Sequence, residues 1–380
     1  MKRNQLLQLY LTQSLRLFGS SLLALFSSVY IYQSLGSLSF VFLFFLFYYF
    51  FKLLANFLAE DLALRLGLKR VMLWGECFLI FALGLLFFSG QYRFLFFPAA
   101  VFWGTSAGFY WFGRHGLMAK TAPHNGFGQA VGRQQIFDIA PVLASPILGG
   151  ILINYFGYRA LFFTSLFCVF LSLFSLRPLL EKKTHIDTSP AEIFRLFKTH
   201  KRTFLAYLGD STSMAIYSMA FPLYLFLILG KELAMGEFFS LVMILVAIIN
   251  FLIGKLVDIK GKREFIIFGS VFSSLVWLGR LIAMKINILF VLDILDRITA
   301  GMTSIPLSVL TYEKALDGGA TGRAVLFREM AMGIGAIFAC LLLLVVNSLR
   351  FSFILAAVLT LFPLLLLKKG GIYGDGHQKA

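Results

Sequence analysis

Apolar runs alternate with short polar segments along the whole chain of 380 residues. Each run is about as long as the twenty residues that an α-helix needs to cross the hydrocarbon core of a bilayer. We therefore predict an all-α membrane protein with twelve transmembrane helices. The predicted spans are residues 9–35, 37–58, 71–90, 94–119, 133–155, 159–178, 204–229, 236–257, 265–284, 288–312, 324–347 and 350–367.

The chain repeats itself at a single offset, at which Asn56-Phe57-Leu58 returns as Asn250-Phe251-Leu252. The repeat predicts two pseudo-symmetric six-helix bundles, and such paired halves are typical of a transporter whose site lies between them. At the same offset the matched pairs are Tyr30 and Tyr224, Gly36 and Gly230, Gly67 and Gly261, Gly75 and Gly269, Gly128 and Gly322, and Ala130-Val131 and Ala324-Val325. The predicted bundles are residues 1–178 and 204–369, with a cytoplasmic linker at 179–203 and a disordered tail at 370–380.

The composition indicates that most of the protein surface contacts lipid. The chain is 59% hydrophobic and 14% charged, whereas about a quarter of a soluble domain is charged. The three cysteines lie inside apolar runs, which argues against a disulfide framework. The net charge of +16 is unevenly placed, because most Lys and Arg fall on the side of the N-terminus. This bias predicts a cytoplasmic (inner) membrane protein with both termini in the cytoplasm, and it explains the basic balance without nucleic acid.

The linker between the bundles carries a helix start signal at Ser189-Pro190-Ala191-Glu192. Glu follows Ser after three residues, which is a capping box, and Pro occupies the first helical position. Ile193, Phe194, Leu196 and Phe197 then share one face, beside several basic residues. The pattern predicts either a short amphipathic helix on the inner membrane surface or a solvated tether.

The polar loop after the eighth span reads Gly254-Lys255-Leu256-Val257-Asp258-Ile259-Lys260-Gly261-Lys262-Arg263. It resembles the G-x-L-x-D-x-x-G-[RK]-[RK] loop of the major facilitator superfamily. In the equivalent loop after the second span, Glu60 and Leu64 replace the family's Gly and Asp, and Asp61 offers a substitute carboxylate. The resemblance implies a twelve-helix transporter in which both loops gate access. The implied gating residues are Asp61, Arg65, Gly67, Lys69, Gly254, Asp258, Gly261, Lys262 and Arg263.

The fifth span resembles a second motif of that family, the antiporter motif G-x8-G-x3-G-P-x2-G-G. The motif positions are occupied by Gly132, Pro141, Ser145, Pro146, Gly149 and Gly150, so two of its glycines are replaced. The two prolines and the paired glycines predict a bent helix, because Pro removes one backbone hydrogen bond and Gly adds conformational freedom. In the tenth span, Arg297-Ile298-Thr299-Ala300-Gly301 resembles the R-x-x-x-G of the family's fourth span.

Charged residues inside the spans are candidates for function, because a charge in lipid is unfavourable. Asp293, Asp296 and Arg297 share one face of the tenth predicted span, and Asp210 lies in the seventh. A carboxylate beside a cation in a low dielectric can take up and release a proton as its exposure changes, which is what proton coupling requires. The alternative is a static ion pair that neutralises Arg297 and holds the half together.

A second group of candidates lies in the first half. Arg16 and Arg114 are predicted either to form an anion clamp in the substrate cavity or to pair with Asp138. His115, Tyr110 and Trp111 are further cavity candidates, with packing as the alternative role of the two aromatic rings. Glu76 and Arg280 are expected to extend from near their helix ends to the membrane interface.

The chain lacks an ATP-binding loop and the common hydrolase motifs, so the sequence predicts no enzyme, no cofactor and no metal site. It favours a monomeric secondary transporter that uses protons to move a small organic molecule by alternating access, with efflux of an amphipathic compound preferred. Import of a small anion through Arg16 and Arg114 is the second hypothesis. A membrane sensor or assembly protein that keeps the fold without transport is the third.

Overall fold

The computed structural model describes residues 2–121, 127–181, 190–260, 262–317 and 321–367. These parts of the chain are helical and contain no strand. Eight ranges among them are long and apolar enough to cross a membrane, which confirms an all-helical integral membrane protein. They are Asn4–Leu35, Leu38–Arg65, Leu68–Ser89, Phe137–Ser175, Lys201–Leu229, Arg263–Ile282, Leu326–Val346 and Leu349–Leu367.

The chain divides into two compact units. The first unit comprises Met1–Ile186 and Pro222–Ser240. Its N-terminal range contains a run of helices, of which the last is broken at Gly157, where φ is 76°. These helices are α1 (Lys2–Ala24), α2 (Ser27–Leu35), α3 (Leu38–Arg65), α4 (Leu68–Ser89), α5 (Phe96–Thr121) and α6 (Phe127–Ser175).

The second unit comprises Asp187–Phe221 and Leu241–Ala380. The boundaries at 221/222 and 240/241 fall inside two helices, so residues 222–240 are grouped with the first unit. The remaining helices are α7 (Pro190–Thr199), α8 (Lys201–Leu229), α9 (Glu232–Lys260), α10 (Lys262–Ile282), α11 (Ile286–Asp317), α12 (Thr321–Val346) and α13 (Leu349–Leu359), followed by a 3-10 turn at Phe362–Leu367.

The sequence repeat is visible in local backbone geometry. Gly36 and Gly230 each end a helix in the left-handed region, with φ of 71° and 68°. A residue other than Gly is strained in this conformation, so the same helix ending explains why both positions carry Gly. Gly75 and Gly269 each allow the backbone of the next long helix to approach closely, at Tyr110 and Thr299 respectively.

The linker helix α7 is part of the second unit and packs there against α8 and α12. Phe197 lies 4.7 Å from Phe204 and 5.2 Å from Phe327, measured between ring centroids. Leu196 joins the same apolar cluster. The side chains of Ile193 and Phe194 are outside the described residues. The described apolar side chains of α7 are therefore partly buried against protein, and the choice between a membrane-surface helix and a solvated tether stays a prediction.

A hydroxyl from α9 enters the backbone of α6. The main-chain N–H of Ile147 donates to Ser240 Oγ at 3.0 Å, and that hydroxyl donates to Leu143 O at 3.3 Å. Leu143 and Ile147 are one helical turn apart, so the hydroxyl bonds to both members of a pair that is spaced for a helical backbone bond. Pro146 removes the neighbouring N–H. A side chain inserted into the helical ladder is a recognised cause of helix bending.

Glycines allow α6 and α9 to cross closely at this point. A Cβ on Gly236 would stand 2.4 Å from the carbonyl oxygen of Pro146. A Cβ on Gly150 would meet Glu232 O at 3.0 Å, while a Cβ on the adjacent Gly149 would meet the Phe26 ring at 2.5 Å. The paired glycines of the motif thus face two different neighbours, and each makes room for one of them.

We expect Gly236→Ala to destabilise the protein by about 1–3 kcal/mol, because its Cβ would overlap a backbone oxygen that cannot rotate away. Gly84→Ala is the matched control, since nothing lies within 4 Å of a Cβ at that helical position. Unfolding in detergent, followed by far-ultraviolet circular dichroism, measures both variants. Equal stability of the two variants would contradict the close crossing of α6 and α9.

Candidate functional site

The second unit contains a buried ionic cluster centred on Asp293 of α11. Arg280 Nη2 of α10 donates to Asp293 Oδ1 at 2.8 Å. The Tyr217 hydroxyl of α8 donates to Asp293 Oδ2 at 3.1 Å, and Arg297 Nε lies 3.7 Å from the same oxygen. Asp293 is fully buried, so its charge depends on these three partners. The structure thus brings together Asp293 and Arg297, as their spacing of four residues predicts.

Asp296 lies in the same cluster but in a different position. Arg280 Nη1 forms its ion pair at 3.1 Å, and Ser273 Oγ donates to Asp296 Oδ1 at 3.4 Å. Unlike Asp293, it also lines a cavity. Arg297 lines this cavity as well, and its Nη2 donates to the Tyr217 hydroxyl. The predicted coupling group therefore separates into an enclosed carboxylate and one at a cavity wall.

Arg280 is the functional candidate that the sequence analysis misplaced. The prediction that it reaches the membrane interface is wrong, because its side chain is fully buried and paired with both aspartates. Its guanidinium carbon also lies 4.2 Å from the Trp277 ring centroid and 4.1 Å from that of Phe221. Aromatic faces attract a cation and shield it from lipid. The usable signal in the sequence was the rule that a charge within a span pairs with an opposite charge on another span.

The cavity beside this cluster has a volume of about 270 Å³ and is lined entirely by residues of the second unit. Its charged lining residues are Asp210, Asp296 and Arg297. Hydroxyl groups and two aromatic rings make up much of the remaining wall. These lining residues are Ser213, Tyr217, Ser218, Ser273, Trp277, Thr303 and Thr360. Asp210, Ser213, Met214, Tyr217 and Ser218 follow helical spacing, so one face of α8 forms a side of the cavity.

The first unit holds a separate buried ion pair. Arg16 Nη1 of α1 donates to Glu76 Oε2 of α4 at 3.0 Å, and its Nη2 donates to Ser106 Oγ of α5 at 2.8 Å. The Arg16 guanidinium carbon lies 3.9 Å from the Tyr110 ring centroid. Glu76 is fully buried, so the prediction that it reaches the interface is wrong. Arg16 is held on three sides and is a poor candidate for an anion clamp.

Asp138 of α6 has amide partners in place of the predicted arginines. Gln13 and Gln134 each donate a side-chain N–H to its carboxylate. Among the described side chains, no ion pair within 4 Å joins Asp138 to Arg16 or Arg114, although Arg114 lies near enough to Asp138 to interact with it electrostatically.

The remaining cavity candidates of α5 lie together. Arg114 Nη1 lies 3.3 Å from His115 Nδ1, and the His115 ring stacks on Trp111 at 5.7 Å between centroids. Tyr110 is fully buried against Arg16. These contacts are those of packed side chains, and a substrate role for this group stays a prediction.

The first gating loop uses a carboxylate that the sequence analysis did not select. Asp61 pairs with Arg65 of its own helix at 3.1 Å, in an exposed position. Glu181 Oε1 instead accepts from the main-chain N–H of Lys69 at 2.9 Å, at the positive end of α4. Gly67 adopts a φ of 101°, and a Cβ there would overlap Glu181. Glu181 therefore supplies a carboxylate contact with the N-terminus of α4 at this loop.

The second gating loop lies largely outside the described residues. Gly261 is outside them. The surroundings of Gly254 and the side chains of Asp258 and Lys262 are outside them as well. Arg263 is described and is exposed. The gating roles assigned to this loop stay predictions.

Comparison with known proteins follows from this architecture. A family model for the Major Facilitator Superfamily matches residues 9–206. No match is found among curated proteins. Among solved structures, the chain is similar to a POT family transporter in complex with 5-aminolevulinic acid, with a TM-score of 0.77, 12% identity and coverage of 96% of both chains.

Two further solved structures are similar over nearly the whole chain. A D-xylose-proton symporter has a TM-score of 0.73 and 14% identity, with 98% of this chain and 99% of that chain covered. An auto-inhibited POT family peptide transporter has a TM-score of 0.73 and 12% identity, with 99% and 98% covered. At these identities the likeness shows the fold alone. Because the family model matches more than half of the chain, this protein belongs to the Major Facilitator Superfamily of membrane transporters.

Proposed function

We propose that this protein is a proton-coupled secondary transporter of a small organic molecule. In this proposal it is a monomer of twelve transmembrane helices in the cytoplasmic membrane, with both termini in the cytoplasm. Its two six-helix halves alternate access to the substrate. The observation that supports proton coupling most directly is the position of Asp296, which joins a buried ionic cluster to a cavity.

Asp296 is a better proton acceptor than Asp293 for a geometric reason. Asp293 is enclosed by Arg280, Tyr217 and Arg297, so a proton has no open approach to it. Asp296 lines the cavity, and the hydroxyl that donates to it, Ser273 Oγ, forms a longer hydrogen bond than the donors of Asp293. A carboxylate that couples protons to transport must be buried enough for its charge to affect its neighbours. It must also be reachable by the water that delivers the proton.

Charge balance links proton uptake to substrate binding. Asp293, Asp296, Arg280 and Arg297 together carry two negative and two positive charges. One proton on Asp296 leaves the cluster with a net charge of +1. Arg297 is the cation that lines the cavity, so the added charge attracts an anionic group of the substrate to it. Proton and substrate then bind together, which is the behaviour of a symporter.

The geometry thus favours import over the efflux preferred from the sequence alone. A proton symporter and peptide transporters are among the proteins of similar fold, which supports proton coupling as a proposal. Export remains the second candidate, because α6 retains the Pro-x-x-Gly-Gly core of the antiporter motif at Pro146, Gly149 and Gly150. The anion route through Arg16 is less favoured, since that arginine is paired with Glu76.

Flux into proteoliposomes tests the function and its direction. We expect at least one compound of a metabolite panel to accumulate inside when the outer solution is acidic, as measured by mass spectrometry of the vesicle contents. Collapse of the pH gradient by a protonophore should abolish accumulation, and protein-free liposomes are the control. Accumulation under the opposite gradient would favour export. Movement of no compound under either gradient would favour the sensor or assembly hypothesis.

Asp296→Asn is expected to remove a proton-binding group without removing a side chain. The infrared difference spectrum between acidic and neutral solution should show a protonated carboxyl band in the natural protein, and this band should be absent from the variant. Glu237→Gln, at an exposed position of α9, is the matched control and should retain it. A band that survives Asp296→Asn and disappears in Asp210→Asn would move the coupling site to Asp210.

Arg280→Leu should destabilise the protein by about 3–5 kcal/mol, because it leaves two buried carboxylates without their shared cation. Arg65→Leu removes an arginine from an exposed pair and should change stability by about 0–1 kcal/mol. Chemical unfolding in detergent measures both. Adding Asp293→Asn to Arg280→Leu should restore part of the loss, since the cluster then carries one charge of each sign. No recovery in the double variant would show that packing, and not charge balance, is the main role of Arg280.

A further inference from the structure

Asp210 of α8 is a charged wall residue that proton coupling at Asp296 does not use. It is half-buried and lines the same cavity as Arg297. Arg328 of α12 lies near enough to interact with it electrostatically but is not a lining residue. Among the described side chains, no ion pair within 4 Å involves Asp210. A carboxylate in this setting can accept hydrogen bonds from a cationic group in the cavity.

Asp210 and the Tyr217 contact of Arg297 are two helical turns apart on the cavity face of α8. Arg297 donates to the hydroxyl of Tyr217, which follows Asp210 on α8 by seven residues. Seven residues of helix rise by about 10 Å along the axis. Ser213 and Met214 occupy the wall between them, and Trp277 contributes an aromatic face from α10. The cavity therefore presents the Asp210 carboxylate at one level of α8, and Arg297 with Asp296 on the wall about two turns away.

This arrangement specifies a ligand by charge and by length. A ligand with only a positive charge would be attracted to Asp210 but not to Arg297, and a ligand with only a negative charge would be attracted to Arg297 but not to Asp210. The volume of about 270 Å³ lies just below the range of about 300–1,000 Å³ that holds drug-sized ligands, so the ligand is small. A ligand whose charges are one carbon atom apart is too short to reach both Asp210 and Arg297.

We infer that the cavity binds a small zwitterion, with its ammonium group at Asp210 and its carboxylate at Arg297. The two charged groups of this ligand are separated by a chain longer than that of an α-amino acid. The inference rests on the proposed transport function and adds a substrate class to it. A proton on Asp296 strengthens the carboxylate end, so a zwitterion and a proton bind with positive cooperativity.

A series of ω-amino acids tests the inference on the full-length protein in detergent. The probes are glycine, β-alanine, γ-aminobutyrate, δ-aminovalerate and ε-aminocaproate, with valerate and pentylamine as single-charge controls. We expect thermal stabilisation to be greatest for the longer members, small for glycine and small for either control. Stabilisation by δ-aminovalerate should increase in acidic solution. Equal stabilisation by valerate and δ-aminovalerate would overturn the inference, and so would the absence of stabilisation by every member.

Two variants at Asp210 separate a binding role from a structural one. Asp210→Asn should weaken binding of δ-aminovalerate by about tenfold, as expected for one lost hydrogen bond to a charged group, and should leave valerate unchanged. Asp210→Glu moves the carboxylate inward by one methylene, so the preferred probe should become one carbon shorter. An unchanged length preference in Asp210→Glu would contradict an ammonium site there.

Flux measurements distinguish failure of this inference from failure of the transport proposal. Zwitterions that bind but do not cross proteoliposome membranes under either pH gradient would support the site and contradict transport. A pH-driven flux of a compound with one charge or none, without binding of any ω-amino acid, would support transport and contradict the zwitterion site.

Discussion

Charges within a membrane protein need partners, because lipid offers neither water nor counter-ions, and this constraint shapes both units. In the second unit, Arg280 pairs with two aspartates and is covered by aromatic faces. The two aspartates neutralise Arg280 and are stabilised by it, so these ion pairs hold α10 and α11 in one rotation relative to each other. The cavity lies where that arrangement meets the polar face of α8.

The two buried ionic groups differ in what surrounds them. The Arg16–Glu76 pair is contacted by Ser106 and by the Tyr110 ring, so it links α1, α4 and α5. The Asp293 group adjoins a cavity through Asp296 and Arg297. A closed ion pair contributes to architecture, whereas one beside a cavity can respond to protons and ligands. This contrast, more than the number of charges, distinguishes the unit in which we place the chemistry.

The sequence predicts features that depend on local spacing and fails for features that depend on pairing across helices. Apolar run length predicts the helices, and the repeat predicts the matching left-handed glycines at 36 and 230. The Asp293–Arg297 pair follows from positions four residues apart on one helix. The positions predicted for Arg280 and Glu76 are wrong because their partners lie on other helices. The pattern of a single helix does not show such partners, so it predicts only that a charged side chain extends to the membrane interface. Glu181 was missed for the same reason, since it lies far along the chain from the loop it contacts.

The hydrogen bonds between the Ser240 hydroxyl and the backbone of α6 link the effects of mutations in α9 to α6. The backbone of α6 at Ile147 bonds to a side chain that is 93 positions away in the chain. A substitution at Ser240 therefore removes a hydrogen-bond partner of α6 without changing any codon of that helix. A chimera that combines α6 with a foreign α9 would keep the prolines of α6 but would lose this contact unless the foreign helix supplies a hydroxyl at the same position.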